Sequence, residues 1–199
     1  MASDSTRDLI VRAADELFYQ RGFEKTSFAD IAEVVGISRG NFYHHFKAKD
    51  DILSEVITLR ACKTKEMLDM WTRNAKTPAD RLRCFAQMLI ENRKNIQRYG
   101  CPVGTLCSEL AKLDHPSQGG AGMIFGQFRS WLREQFEALG RGVDADSLSM
   151  HLLARSQGIA ALATAFHDET FIRREVELID TWLDDLKQAP IKSRSRRAS

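Results

Sequence analysis

Apolar residues in this chain recur at intervals of three and four almost throughout, and period-two alternation is nearly absent. That rhythm draws a stripe along an α-helix and cannot give a strand one apolar face, so the expected fold class is all-α. Leu9, Ala13 and Leu17 form one stripe with Ile10, Ala14 and Phe18 beside it, and Gly22 is expected to stop that helix in the left-handed conformation. Ser27 is placed to cap a short helix running to Val35, with Asp30 at its positive end and Gly36 breaking it. Ser38 caps a second short helix reaching Phe46, and Asp50 with Asp51 favours the start of a long one through Ile52, Val56 and Leu59.

Further along, Thr77 and Pro78 open a helix of about 20 residues that Gly100 ends. Pro102 opens another, and Asp114 to Ser117 with glycines 119, 120 and 122 reads as a loop. A helix bearing Ile124, Phe128, Trp131, Leu132 and Phe136 follows, then two more over residues 145–167 and 169–188. The last ten residues, 190–199, read as a basic disordered tail, too polar to pack.

With 199 residues, 43% of them hydrophobic, the chain has material for one core or two modest domains. The start, MASDSTRDL, carries no apolar signal region. The most apolar stretch, GIAALATAF at 158–166, falls far short of the roughly 18 residues that span a bilayer. The expectation is a soluble, cytoplasmic protein with no membrane partner. Cysteines 62, 84, 101 and 107 show no CxxC spacing, which supports neither a zinc ribbon nor a thioredoxin-type motif and suits reduced thiols. The net charge of +2 is unevenly spread: basic and acidic side chains number 8 and 10 in residues 1–60, 9 and 4 in 61–100, 7 and 13 in 101–186, and 5 and 0 in 187–199. Bulk charge therefore singles out no nucleic-acid binder, and local pattern has to decide.

The local pattern is at 28–46. Two helices this short are marginal alone and need a packed junction. Ile31, Val35, Ile37 and Phe42 fall where a helix-turn-helix buries its core, Ala32 is small where the helices cross, and Gly36 is free to make the left-handed turn. The exposed side of the second helix then carries Arg39, Asn41, Tyr43, His44 and His45. From Ile37 to Lys49 there are three basic residues, Arg39, Lys47 and Lys49, and no acid. Donors and aromatic edges on one short helix suit major-groove entry, and a positive flank suits phosphates. Read without further context, the same segment is also compatible with a plain three-helix packing unit. His44 and His45 are neighbours about 100° apart on the helix and share no ligand site, so no metal is expected, and no cofactor is implied.

The stretch GFEKTSFADIAEVVGISRGNFYHHFKAKDDIL resembles the N-terminal DNA-binding domain of the TetR family of bacterial transcriptional repressors over about residues 7–58. The resemblance implies a helix-turn-helix DNA-binding domain at 1–48 and a helical effector-binding and dimerisation domain at 49–189. By position, Ser27 and Ser38 correspond to caps that also touch phosphate, and Arg39, Asn41 and His44 to base-reading residues. Tyr43 and His45 correspond to residues that grip backbone or thymine methyls, and Lys49 to a phosphate-binding lysine at the start of the next helix. Ala29 stands where the family often has a polar or basic contact, and Asn41 where Thr or Ser is commoner, so the operator sequence cannot be borrowed.

Residues 60–188 carry no GxSxG, P-loop, HExxH or strand-borne GxGxxG, so no enzyme is expected. What they offer is adaptable apolar lining. Met67, Trp71, Phe85, Met88, Cys101, Phe125, Phe128 and Trp131 are candidates for a pocket that takes a small apolar or reactive effector, and ordinary core residues are the alternative. GCPVGTLCSELA at 100–111 resembles a segment of one TetR-family branch, some members of which sense electrophiles or oxidants through a nearby cysteine. Cys101, at a helix N-terminus, is the candidate redox thiol. The last two helices show Leu148, Leu152, Ala160, Ala163 and Phe166, then Phe171, Ile172, Val176, Ile179, Trp182, Leu183 and Leu186, a set suited to a four-helix homodimer interface or to the chain's own core. The main expectation is a homodimeric, ligand-responsive repressor on double-stranded DNA with a palindromic operator. The alternatives are a thiol-sensing repressor acting through Cys101 and a helical ligand-binding protein without DNA binding.

Overall fold

The computed structural model describes residues 5–188, and the basic tail lies outside them. The described residues form ten α-helices and no strand. In chain order these are α1 (Thr6–Arg21), α2 (Phe28–Val35), α3 (Arg39–His45), α4 (Lys49–Asn74), α5 (Pro78–Glu91), α6 (Arg93–Tyr99), α7 (Pro102–Lys112), α8 (Gln118–Ala138), α9 (Ala145–Phe166) and α10 (Glu169–Gln188). No helix among the described residues is long and apolar enough to cross a membrane.

The chain divides into two compact units. The first takes in residues 1–64 and 102–125, the second residues 65–101 and 126–199. The unit that holds the helix-turn-helix thus includes α7 and the start of α8, which lie far beyond the sequence boundary at residue 48. Its core runs from Ile10, Ala14, Leu17 and Phe18 of α1 through Ile31 and Phe42 to Ile52, Leu53 and Val56 of α4, and on to Leu106 and Leu110 of α7. The second unit buries Leu82 and Phe85 of α5, Leu132 and Phe136 of α8, Leu152 and Ala163 of α9, and Ile172, Ile179 and Leu183 of α10.

Several local expectations change. Leu9 is exposed, and Ile10, Val11, Ala14, Leu17 and Phe18 form the buried side of α1. Gly22 has a positive φ of 92° but a ψ of 156°, so it turns the chain without entering the left-handed helical basin. The single helix expected after Pro78 is two, α5 and α6. The Asn92 side chain donates to the Met88 carbonyl at 2.9 Å and its backbone leaves the helix (φ −96°, ψ 8°), the usual competition of a short amide with the helical ladder. Glycines 119, 120 and 122 are helical, within α8. Glycine disfavours a helix interior by about 1 kcal/mol, and here burial of Ala121 and Ile124 on the same turns outweighs it. Finally, most residues expected at a dimer interface face the chain's own core: Leu152, Ala160, Ala163, Ile172, Val176, Ile179 and Leu183 are all buried. An amphipathic stripe marks a buried face without saying what buries it.

Candidate nucleic-acid interface

The two short helices are shaped by their caps. Ser27 Oγ accepts from the Asp30 N–H at 3.2 Å, and Asp30 Oδ2 accepts from the Ser27 N–H at 2.8 Å, a reciprocal capping box on α2. The Ser27 hydroxyl, and next its N–H, hold the Asp30 carboxyl below the usual carboxylate range. At the other end Gly36 is left-handed (φ 74°, ψ 31°), and the N–H groups of Gly36 and Ile37 both return to the Ala32 carbonyl. Ser38 Oγ then accepts from the Asn41 N–H at 3.2 Å and starts α3.

Phe42 locks the pair together. It is buried, with the Phe28 ring 5.0 Å away and Phe46 6.5 Å away. Its neighbour Tyr43 stands edge-on to Phe28 at 5.6 Å and keeps 46% of its surface exposed. Phe28 is a residue the sequence reading missed. It occupies the first turn of α2, where only the cap drew attention, yet it is the platform that orients Tyr43.

Arg39, Asn41 and His44 are exposed and His45 is half-buried. Among the described residues none of these four side chains has a hydrogen-bond or ion-pair partner. Beside them lies a notch of about 280 Å³ lined by Ser27, Phe28, Ala29, Ala32, Arg39, Phe42 and Tyr43. The small Ala29 and Ala32 keep it open at the α2 N-terminus, where backbone N–H groups and the helix dipole favour an anion. A guanidinium and a phenol share that notch, and the combination can take a phosphate while the outer face of α3 meets base edges.

Lys49 is differently engaged from what its position implied. Its ammonium donates to the carbonyls of Phe23 (3.1 Å), Glu24 (3.2 Å) and Thr26 (3.4 Å) and lies 4.4 Å over the Phe23 ring. An ammonium has three donors, and all three are used. A phosphate contact would have to replace one of these bonds. Lys49→Met is therefore expected to weaken DNA binding by loosening the turn while leaving the slope of log affinity against log salt unchanged. A slope lowered by about one unit in a salt titration would instead restore the direct phosphate role.

Residues 10–56 match the family model described as bacterial regulatory proteins, tetR family. Over 88 residues the chain is 36% identical to the HTH-type transcriptional regulator AcrR of Shigella flexneri, covering 44% of this chain and 40% of that protein. The chain belongs to the TetR family. An uncharacterized HTH-type transcriptional regulator from the lacX 3' region of Lactococcus lactis subsp. lactis extends the likeness, at 26% identity over 89% of this chain and 92% of that one. The crystal structure of a TetR transcriptional regulator from Legionella pneumophila shares the fold, with a TM-score of 0.81 over 92% of this chain and 99% of that chain at 24% identity. The protein is thus a TetR-family transcriptional regulator, and the reading as a ligand-binding protein without a DNA-binding role is set aside.

The effector residues expected in this TetR-family chain are only partly gathered. Within the second unit Trp71 and Trp131 pack at 5.6 Å, and Phe85 and Phe128 edge-on at 5.7 Å. Trp131 Nε1 donates to Thr72 Oγ1 at 2.8 Å, which fixes the indole. Met67, Met88 and Cys101 are half-buried, and Phe125 belongs to the first unit. Trp71 also lines a cavity of about 300 Å³ with Asp80, Arg83, Cys84, Gln87, Glu91 and Asp180, a far more polar set than expected. Burial, then Asp80 and Glu91, push the Cys84 thiol up, away from thiolate character. Cys101 directly precedes α7, as its spacing to Pro102 implied.

Proposed function

We propose that this regulator is a repressor that binds a palindromic operator as a homodimer and is released by a small-molecule effector. The observation that carries the DNA-binding half is the uncommitted donor set of α3, Arg39, Asn41 and His44, next to the notch at the α2 N-terminus. Arg39 and Tyr43 serve phosphate and groove wall, Asn41 and His44 the bases, and Ser27 and Ser38 hold the two helix starts in place. The dimer reading is supported by apolar side chains that remain exposed on the last two helices, Met150, Leu162, Phe166 and Leu178. These positions, and not the buried stripe, are the surface a second copy would cover. Two such modules about a two-fold axis present recognition helices roughly 34–36 Å apart to successive turns of one DNA face. For the effector, Trp71, which packs on Trp131 and lines the cavity of about 300 Å³, is the aromatic surface a small molecule would meet.

The test is fluorescence anisotropy of the full chain with duplexes from its own upstream DNA at near-physiological salt. Arg39→Ala is expected to cost about 1–3 kcal/mol of specific binding and to lower the salt slope by about one unit. Tyr43→Ala should cost a similar amount with little change in slope, since it carries no charge. Wild-type affinity in both variants, each with native helical content, would remove α3 from the interface.

A further inference from the structure

The turn between α1 and α2, residues 22–26, is gripped from two sides by opposite charges. Lys49 takes its carbonyls, as described above. Its amides go to Glu109: the Phe23 N–H donates to Oε2 and the Glu24 N–H to Oε1, each at 2.9 Å, across more than eighty positions of sequence. Glu109 stands half-buried on α7, within the first compact unit. The fit is close, because a Cβ built on Gly22 would lie 2.9 Å from the nearer carboxylate oxygen. Gly22 is thus required for room as well as for its φ of +92°. His115, just past α7, packs edge-on to the Phe23 ring at 5.3 Å. Its Nδ1 accepts from the Ser117 N–H at 3.1 Å, which leaves the Nε2 proton facing Asp50 Oδ1 at 3.4 Å, at the start of α4. A carboxylate accepting two consecutive backbone amides is a charge-assisted clamp, and the turn it fixes runs directly into the Ser27 cap.

We infer that Glu109 is a positioning residue for DNA binding: by holding residues 23 and 24 it sets where the α2 N-terminus, Arg39 and Tyr43 meet the duplex. The residue lies outside the 10–56 segment that the family model matches. This inference rests on the DNA-binding reading above. Glutamine at this position keeps one acceptor and turns an NH₂ toward the other amide, so Glu109→Gln breaks the clamp at constant size.

In the full chain, Glu109→Gln is expected to lower affinity for the upstream duplex about tenfold. The salt slope should not change, because Glu109 touches no phosphate. Amide exchange at Phe23 and Glu24 should accelerate while exchange in the second unit stays as in wild type. Gly22→Ala, which crowds the same oxygen and also strains a backbone at φ +92°, should give the same pattern with a larger loss, and the double variant should lose less than the sum, since the shared contact is then broken only once. Should Glu109→Gln fail to fold, Glu109→Asp, which keeps the charge and draws the carboxylate back from the two amides by one methylene, carries the test in its place. Unchanged affinity with unchanged exchange at the two amides overturns the inference. So does a gain in affinity, which would make Glu109 merely a charge that repels DNA. A wild-type chain that binds no duplex overturns the DNA-binding reading, and exchange at Phe23 and Glu24 in Glu109→Gln still reports separately whether the clamp exists.

Discussion

Phe42→Ala is expected to unfold the helix-turn-helix ahead of the second unit and to abolish operator binding. Phe42 is 1% exposed and packs on Phe28 and Phe46, so truncation removes a full aromatic side chain and leaves a cavity between two helices that are too short to persist alone. Losses of this kind run to about 3–5 kcal/mol, a large share of the about 5–15 kcal/mol that stabilises a typical domain. The experiment has a convenient internal control. All three tryptophans, 71, 131 and 182, lie in the second unit, and the first unit has none. Urea unfolding of the variant should show an early transition by far-UV circular dichroism that tryptophan fluorescence does not share. Phe42→Leu, which refills most of the volume, should restore a single transition and most of the binding. Coincident transitions at the wild-type midpoint in Phe42→Ala would mean that the α2–α3 junction is held by something other than this ring.

The parts of this regulator that could be read from sequence are those decided within a few residues. Ser27 and Asp30 are three positions apart, as are Ser38 and Asn41, and Gly36 needs only its own backbone freedom. The boundaries of α2 and α3 therefore follow from local chemistry alone. The motif was specific enough to identify the family for the same reason. What stayed hidden depends on partners distant in sequence. The resemblance places Lys49 on phosphate by its position at a helix start, but the carbonyls it binds lie 23 to 26 positions back, out of reach of any local pattern. Glu109 carried no signal, since its partners are backbone amides, which no residue pattern marks. The helical glycines of α8 and the break at Asn92 are cases where packing and one side-chain hydrogen bond overrode propensity in opposite directions. The stripes on α9 and α10 were legible as stripes, and Phe166 at the end of one is exposed as an interface residue would be, whereas the exposed Leu162 and Leu178 fall outside the pattern and no periodicity marks them.

The second large effect is expected at Arg60, a residue that no motif or periodicity singles out. Its guanidinium is buried where α1, α4 and the start of α7 converge. Nε donates to Asp15 Oδ1 at 2.7 Å, one terminal nitrogen to the Asp15 carbonyl at 3.1 Å, and the other to the Pro102 carbonyl at 2.5 Å. Arg60→Met keeps most of the aliphatic bulk and strands the Asp15 carboxylate, which retains only Lys63, at 3.0 Å from an exposed side chain, while the Asp15 and Pro102 carbonyls fall back on their helical N–H partners. Breaking a buried pair from one side costs about 3–5 kcal/mol, and the remaining lysine places this case near the lower end. Arg60→Lys should also be costly, because a point-like ammonium cannot serve three acceptors spread around a planar fork. The penalty should persist in 0.5 M NaCl, unlike that of a surface pair, since salt screens a buried contact poorly. Adding Asp15→Leu to Arg60→Met should recover about half of the loss by removing the stranded charge, while the charge-assisted bonds from the guanidinium to the Asp15 and Pro102 carbonyls stay lost. Urea midpoints of the two single variants and the double variant decide the matter. Strict additivity would show that Arg60 and Asp15 act independently, and a loss under about 1 kcal/mol in Arg60→Met would reduce the network to the worth of a solvent-exposed ion pair.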